Sequence, residues 1–249
     1  MFTPPPSSCD DPNVRERLSP NCNDLNYLHL VDLLHALRSI NKTGVTTVLD
    51  LGCGASPYRL LFPGTDYRRA DLEGTPHIDY SLSSAAAIPS DFFDVVLSTQ
   101  VLEHVRDPEG YLKLALRVLK PGGRLVLTTH GMFEEHACPE DYYRWTALGL
   151  EYLVVQSGYE SMRTWKVTTQ QRASAFLILR YFGLLGLKRR TLIGFVAAVL
   201  NWSRRFVCPM LHRWLDRHAA ECQMVDSNIP GHALYVALMI EARKPGAQA

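Results

Sequence analysis

The sequence predicts an α/β protein with a doubly wound, mostly parallel sheet, on three observations. Strand-like and helix-like stretches alternate from residue 46 to residue 168, the pattern of a parallel sheet with its ligand site at the strands' carboxyl ends. The apolar run Val48-Leu49-Asp50-Leu51 ends in Gly52-Cys53-Gly54, a buried strand entering a tight loop where glycines let a ligand approach the backbone. The next strand-like stretch ends in Asp71, seventeen positions after Gly54, close to the ~20 expected for an acid that takes a ribose diol.

Taken in order, residues 1–23 read as a flexible tail, because Met1 to Pro12 is rich in Pro, Ser and Asp and has no apolar stretch. Leu25, Leu28, Leu33, Leu34 and Leu37 recur at helical intervals between Asp24 and Ile40, with Asn23 or Asp24 as cap. A strand over 46–51 follows. Ser56 as N-cap and Pro57 at the first helical position predict a helix over 57–62. Strands are expected over 67–71, 93–99 and 124–129, with a helix over 108–119 between the last two.

That helix starts at Asp107-Pro108, a cap and a first-turn proline, and ends at Lys120-Pro121-Gly122-Gly123. Thr146 caps a further helix over 147–157 that stops at Gly158, and a strand runs over 160–168. A last strand lies between His232 and Ala242, terminated by Lys244-Pro245. The main domain is therefore 24–168 plus 232–245.

Residues 169–231 form a helical insertion before that strand. Its apolar runs, 173–187 and 191–202, flank Lys188-Arg189-Arg190. Val207, Met210, Leu211, Trp214 and Leu215 then follow an amphipathic helical spacing. Three readings compete: a cap or dimerisation element, an interfacial membrane attachment aided by the basic clusters and Trp202 and Trp214, and a membrane hairpin. The last is disfavoured, each run being shorter than the ~18–20 residues a span needs.

Composition narrows the function classes. With 26 basic against 25 acidic residues, no global nucleic-acid footprint exists, and no nucleic-acid partner is expected. The six cysteines, at 9, 22, 53, 138, 208 and 222, show no metal-type spacing and predict free thiols in a reducing compartment. A cytoplasmic location follows, with membrane association left open.

The chemistry of the glycine loop can be read further. Two ribose hydroxyls fit one carboxylate, Asp71, in a bidentate manner. A nicotinamide dinucleotide calls for a third glycine near its pyrophosphate, and Pro57 fills that slot. A ligand with one nucleoside, an amino-acid tail and no phosphate suits the loop better.

Together with Phe93-Asp94-Val95-Val96-Leu97-Ser98, Val101-Leu102-Glu103-His104-Val105 and Arg117-Val118-Leu119-Lys120-Pro121-Gly122-Gly123, these residues resemble the class I S-adenosylmethionine-dependent methyltransferases. Within that family the chain is similar to the "type 11" small-molecule group, including the stretch from His136 through Pro139 and Asp141-Tyr142-Tyr143-Arg144-Trp145-Thr146. The resemblance covers about residues 45–160 and the last strand. It implies a Rossmann-like, seven-stranded sheet, S-adenosylmethionine as cofactor, and methyl transfer to a small-molecule acceptor such as a hydroxyl on a glycan, lipid or secondary metabolite.

Carried over residue by residue, the resemblance puts Asp50, Gly52, Cys53 and Gly54 at the methionine end of the cofactor. Asp71 falls at the ribose, Leu72 beside the adenine, and Thr99 and Gln100 along the cofactor. The acid that many relatives place four residues before an Ile-Pro pair is Ser84 here, counted back from Ile88-Pro89. Asp79 is its substitute only if the loop folds differently.

Methyl transfer is an in-line displacement, so positioning supplies much of the rate and a base helps when the acceptor is a hydroxyl. His104, past the 93–99 strand, is the first candidate base, against a structural pairing with Glu103. His130, at the end of the 124–129 strand, and His136 are further candidates facing the acceptor. Asp141, Tyr143 and Arg144 are candidate substrate contacts, the rival being a packed loop in which Arg144 pairs with Asp141. Tyr58 either closes over the cofactor or packs. Ligand types around His136 match no standard metal spacing, and no metal is expected. A non-catalytic scaffold or regulator that binds S-adenosylmethionine is the alternative function.

Overall fold

The computed structural model of the chain describes residues 12–137, 140–184 and 206–246. Its helices are α1 (Pro12–Leu18), α2 (Tyr27–Arg38), α3 (Pro108–Val118), α4 (Ala147–Gln156), α5 (Gln170–Leu184) and α6 (206–218). Its strands are β1 (Thr47–Leu51), β2 (Asp66–Asp71), β3 (Tyr80–Ser81), β4 (Phe93–Thr99), β5 (Leu119–His130), β6 (Glu160–Thr169), β7 (Met224–Asp226) and β8 (Tyr235–Arg243). They form one sheet in the order β3-β2-β1-β4-β5-β8-β6-β7. From β3 to β5 all pairings are parallel, and β8 enters antiparallel between β5 and β6.

The central strands carry largely apolar runs because both sheet faces are covered. Alternate residues point to opposite sides. Leu49, Val96, Leu125, Leu127 and Leu238 join Leu112, Ala115 and Val118 of α3 and Leu150 and Val154 of α4 on one face. Val48, Val95, Leu97, Val126 and Met239 join Leu33 and Leu37 of α2 on the other.

Two caps form as the sequence predicts. The Asp107 carboxylate accepts the Gly110 N–H at 3.0 Å, and the Thr146 hydroxyl accepts that of Gly149 at 3.1 Å.

Several expectations are corrected. The sheet has eight strands, not seven, since β7 within the insertion pairs antiparallel with β6, so 169–231 is helical only in part. The stretch read as a flexible tail contains α1, whose Val14 is buried. Asn23 and Asp24 do not cap α2. Asn23 is held in a turn by the Asn21 side chain at 2.9 and 3.0 Å, and Asn26 occupies the cap position without a side-chain bond.

The helix expected over 57–62 is only a three-residue 3-10 turn, Arg59–Leu61. Ser56 adopts φ 53° and is no N-cap. Pro63 follows closely and disfavours helical backbone at Phe62, which sits at φ −122°, ψ 60°.

The described part of the insertion packs on the core. Ala173, Phe176, Leu215, Ala219 and Cys222 cluster with Leu28 and Val236. Arg172, fully buried, binds Asp32 through two bonds of 2.6 and 2.9 Å and Asp216 at 2.9 Å. Removing one member of such a buried group costs ~3–5 kcal/mol. Residues 185–205, with the Lys188-Arg189-Arg190 cluster and Trp202 on which the membrane readings partly rested, lie outside the described residues. Among those that are described, no helix is long and apolar enough to cross a membrane. Cys22, Cys53 and Cys222 are free thiols, and Cys9 and Cys138 lie outside the described residues.

Candidate active site at the carboxyl edge of the sheet

The glycine loop leaves β1 at Gly52, φ 75°, and bends at Gly54, φ 48°. The Gly52 and Cys53 N–H groups donate to Ala70 O at 2.8 and 3.2 Å, which folds the loop across the end of β2. A Cβ on Gly52 would stand 2.6 Å from both methyl carbons of Val101, so no side chain fits there. Asp71 reaches this loop directly: its Oδ2 accepts the Gly54 N–H at 2.6 Å and its Oδ1 accepts the Leu72 N–H at 2.7 Å. The backbone bend and the distant carboxylate therefore meet at the carboxyl edge of the sheet.

Asp50 is buried beneath it and accepts the Tyr67 hydroxyl at 2.7 Å, and burial pushes its carboxyl up to about 7. Burial likewise pushes the Cys53 thiol up to about 12, with the Asp50 and Asp71 charges adding to it. The Tyr111 hydroxyl donates to Leu51 O at 2.9 Å and pairs with Ser98 Oγ at 2.8 Å, fixing the ends of β1 and β4 to α3.

The other candidate cofactor residues are found in different states. Leu72 is exposed. Ser84 is exposed at the kink of the 3-10 segment Leu82–Ala87. Asp79 is already engaged: it accepts the Arg69 N–H at 2.9 Å and lies 3.6 and 3.7 Å from the Arg69 and Arg68 guanidinium groups. Thr99 ends β4, and Gln100, at φ 55°, donates its N–H to Thr128 O at 2.9 Å. Tyr58 is buried among Leu33, Leu37 and Phe62, so it packs rather than closing over a ligand.

The β4–β5 side is built from side chains. Glu103 sits in the 3-10 turn Leu102–His104 and is fully buried. Its Oε2 accepts the Thr129 hydroxyl at 2.8 Å, and its Oε1 lies 3.3 Å from His130 Nε2 and 4.0 Å from His104 Nε2. Burial raises its carboxyl above the ordinary range.

His104 Nδ1 is 2.6 Å from the Glu140 carbonyl. A carbonyl only accepts, so Nδ1 carries a proton, and in the neutral ring the lone pair lies on Nε2. His130 is buried, stacked on Phe133 at 4.0 Å, and burial holds its imidazole neutral far below its usual value. His136 meets both rings edge-on, at 4.8 Å from His104 and 5.2 Å from His130.

Arg144 ties the intervening loop together. It binds Asp141 through bonds of 2.6 and 2.7 Å and donates to the carbonyls of Phe133, Glu134 and Tyr143. These bonds hold the Asp141 carboxyl down at about 2. Asp141 and Arg144 thus take the packed-loop arrangement, while Tyr143 leans on Trp145 at 5.1 Å.

Helix α5 packs on this side. β6 ends at the same edge as β5, and α5 lays Phe176 against His29 and Phe133 while Arg180 reaches Glu134 and Asn26. On the opposite side of α5 an apolar cavity of about 600 Å³ opens between Ile178, Leu179, Leu211 and Trp214; none of the site residues line it.

Sequence reasoning placed Glu103 only as a partner of His104 and missed His29 and Thr129. The signal for Glu103 was present, an acid directly after a strand's carboxyl end. His29 carried none, since it reads as one face of an ordinary amphipathic helix.

The sequence matches the methyltransferase-domain family over residues 15–158. It is 34% identical over 109 residues to a ubiquinone biosynthesis O-methyltransferase of Bradyrhizobium diazoefficiens, a match that covers 37% of this chain and 43% of that protein. A second such enzyme, from Xanthomonas oryzae pv. oryzae, is 34% identical over 122 residues, or 39% of this chain and 51% of its own length. The chain therefore spans about half the length of these curated relatives or less. Among solved structures, an S-adenosylmethionine-dependent methyltransferase from Archaeoglobus fulgidus superposes with a TM-score of 0.53 over 92% of this chain and 97% of its own, at 14% identity. The [4+2]-cyclase SpnF gives 0.51 at 18% identity, over 92% of this chain and 86% of its own. Identities this low establish a shared fold and nothing finer.

Proposed function

This chain belongs to the methyltransferase-domain family, and we propose that it transfers the methyl group of S-adenosylmethionine to a hydroxyl of a small-molecule acceptor. The observation that carries the reading is the 2.6 Å bond between the Asp71 carboxylate and the Gly54 N–H. It brings a ribose-type acceptor and a side-chain-free backbone to one crevice, and Gly52 admits no Cβ there. The 3-10 turn after the loop offers no long helix N-terminus for a pyrophosphate, which argues against a dinucleotide.

When bound, the donor supplies a methyl group on a sulfonium sulfur. Asp71 takes the ribose hydroxyls by exchanging its bond to Gly54 for them. Gly52 and Gly54 let the backbone approach the amino-acid tail, and buried Asp50 offers a compensating charge to its cation. Leu72, Ser84, Thr99 and Gln100 line the remaining walls. His104, with its lone pair on Nε2 and its ring fixed by Glu140, accepts the acceptor's hydroxyl proton. The Asp141–Arg144 pair holds the loop that carries His136 and Tyr143, and α5 excludes water above it. The insertion acts as this cap; docking to a second copy or to a membrane surface is the competing role for its outer face.

The test is calorimetric titration with S-adenosylmethionine, followed by incubation of the full chain with methyl-labelled donor and fractionated cell extract. Micromolar binding and a labelled small molecule support the proposal. Binding without any labelled product favours the non-catalytic scaffold, and absence of binding removes both.

A further inference from the structure

Glu103, His130 and His136 each offer one ligand atom, and those atoms all lie within 4.8 Å of one another. They arrive from three places: the turn after β4, the last residue of β5, and the loop that follows. Glu103 and His130 are 0% and 4% exposed. Even so, Glu103 Oε1 and His130 Nδ1 have no hydrogen-bond partner among the described residues. A buried polar atom left unpaired costs ~1–3 kcal/mol, and more when charged. Glu103 Oε1, which stands 3.3 Å from His130 Nε2 with no hydrogen bond between them, is therefore the atom that a cation would satisfy.

We propose that these three side chains bind one divalent transition-metal ion. Two imidazoles and a carboxylate suit zinc, cobalt, iron or manganese better than calcium, which prefers an all-oxygen shell. Three protein ligands leave coordination positions open, as in reactive rather than structural sites.

The surroundings are built to orient the donors. Glu103 is fixed through its other oxygen by Thr129 at 2.8 Å. His136 turns Nδ1 toward Glu134 O at 3.3 Å and Asp141 Oδ2 at 3.5 Å, which leaves its Nε2 for the ion. Asp141 is held in turn by Arg144.

Donors on one ion with bonds of ~2.1 Å stand ~3.4 Å apart at a tetrahedral angle and ~4.2 Å when opposite each other, so a pair at the 4.8 Å limit must close by roughly 0.6–1.4 Å. His136 has that freedom, its side chain being 33% exposed on a loop, while Glu103 and His130 stay fixed. An ion there would lie beside His104, on the acceptor side of the crevice. Its presence does not depend on the methyl-transfer reading, and the test measures metal alone.

The full chain, stripped with a chelator, is titrated with Co²⁺ and read by its visible absorption, then with Zn²⁺ in competition. About one ion per chain is expected, with Kd below ~1 μM and displacement of Co²⁺ by Zn²⁺. His136→Ala, a change on the loop outside the core, raises Kd at least ~30-fold, and Asp141→Asn raises it ~10–100-fold. Thermal melts check that both variants fold. No Co²⁺ spectrum, or binding that is as tight in folded His136→Ala, overturns the proposal.

Discussion

On the β1–β2 side of the carboxyl edge, a backbone loop and one carboxylate meet across seventeen residues of chain. On the β4–β5 side, Glu103, His130 and His136 meet from positions 27 and 33 residues apart. The first side is made of backbone geometry, so glycine, the one residue permitting it, writes it into the sequence. The second is made of side-chain convergence, which any residue type can reach once strands align.

The sharpest way to break this contrast is His104→Ala. Loss of a positioned base lowers kcat by ~10²–10⁴, with donor Kd changed less than about twofold if the two sides are independent. A variant that loses donor binding instead would merge them. Asp71→Ala should do the reverse, weakening S-adenosylmethionine binding by ~10–100-fold through loss of charge-assisted hydrogen bonds of ~1.5–3 kcal/mol. Calorimetry of both variants reads this directly, and the opposite pairing of effects removes both assignments.

Gly52→Ala tests the backbone side without touching a polar group. Its new methyl meets Val101 at 2.6 Å from a backbone at φ 75°, so a loss of ~1–3 kcal/mol in chemical denaturation is expected. A stability equal to the parent's would mean the loop relaxes and is less constrained than drawn here.

The smallest effect concerns Asp50. Burial raises its folded pKa to about 7, from ~3.9 in an open chain. Its protonated form therefore favours the fold at low pH, a contribution complete below pH ~4 and lost as pH rises through about 7. A cationic donor favours the ionised form, so affinity climbs, by less than about tenfold, between pH 6 and 8. Titrations across that range should show the slope in the parent and not in Asp50→Asn. A slope that survives in the variant belongs to another group.

The same contrast explains what could be read in advance. The alternation of elements, the Asp107 and Thr146 caps, and the Gly52 to Asp71 spacing are local, and local patterns survive in a one-dimensional string. The missing helix after Pro57 was masked because Ser-Pro is a good helix start, and only the second proline, Pro63, stops it. The strand Met224–Asp226 is too short to show a period. His130 gave no hint of its neighbours, because its proximity to Glu103 at 3.3 Å arises from β4 pairing with β5.

The two rims of the sheet bear on how copies of the protein can meet. One rim is β3, two residues long, and the other is β7, three residues long. Short edge strands give a neighbouring chain little backbone to template against, a known safeguard against ribbon-like aggregation, although β2 and β6 each run beyond the residues that β3 and β7 pair. Helical surfaces offer another route to self-association, and swapping Met210 or Trp214 for charged residues, both more than half exposed, would tune it without disturbing the strands.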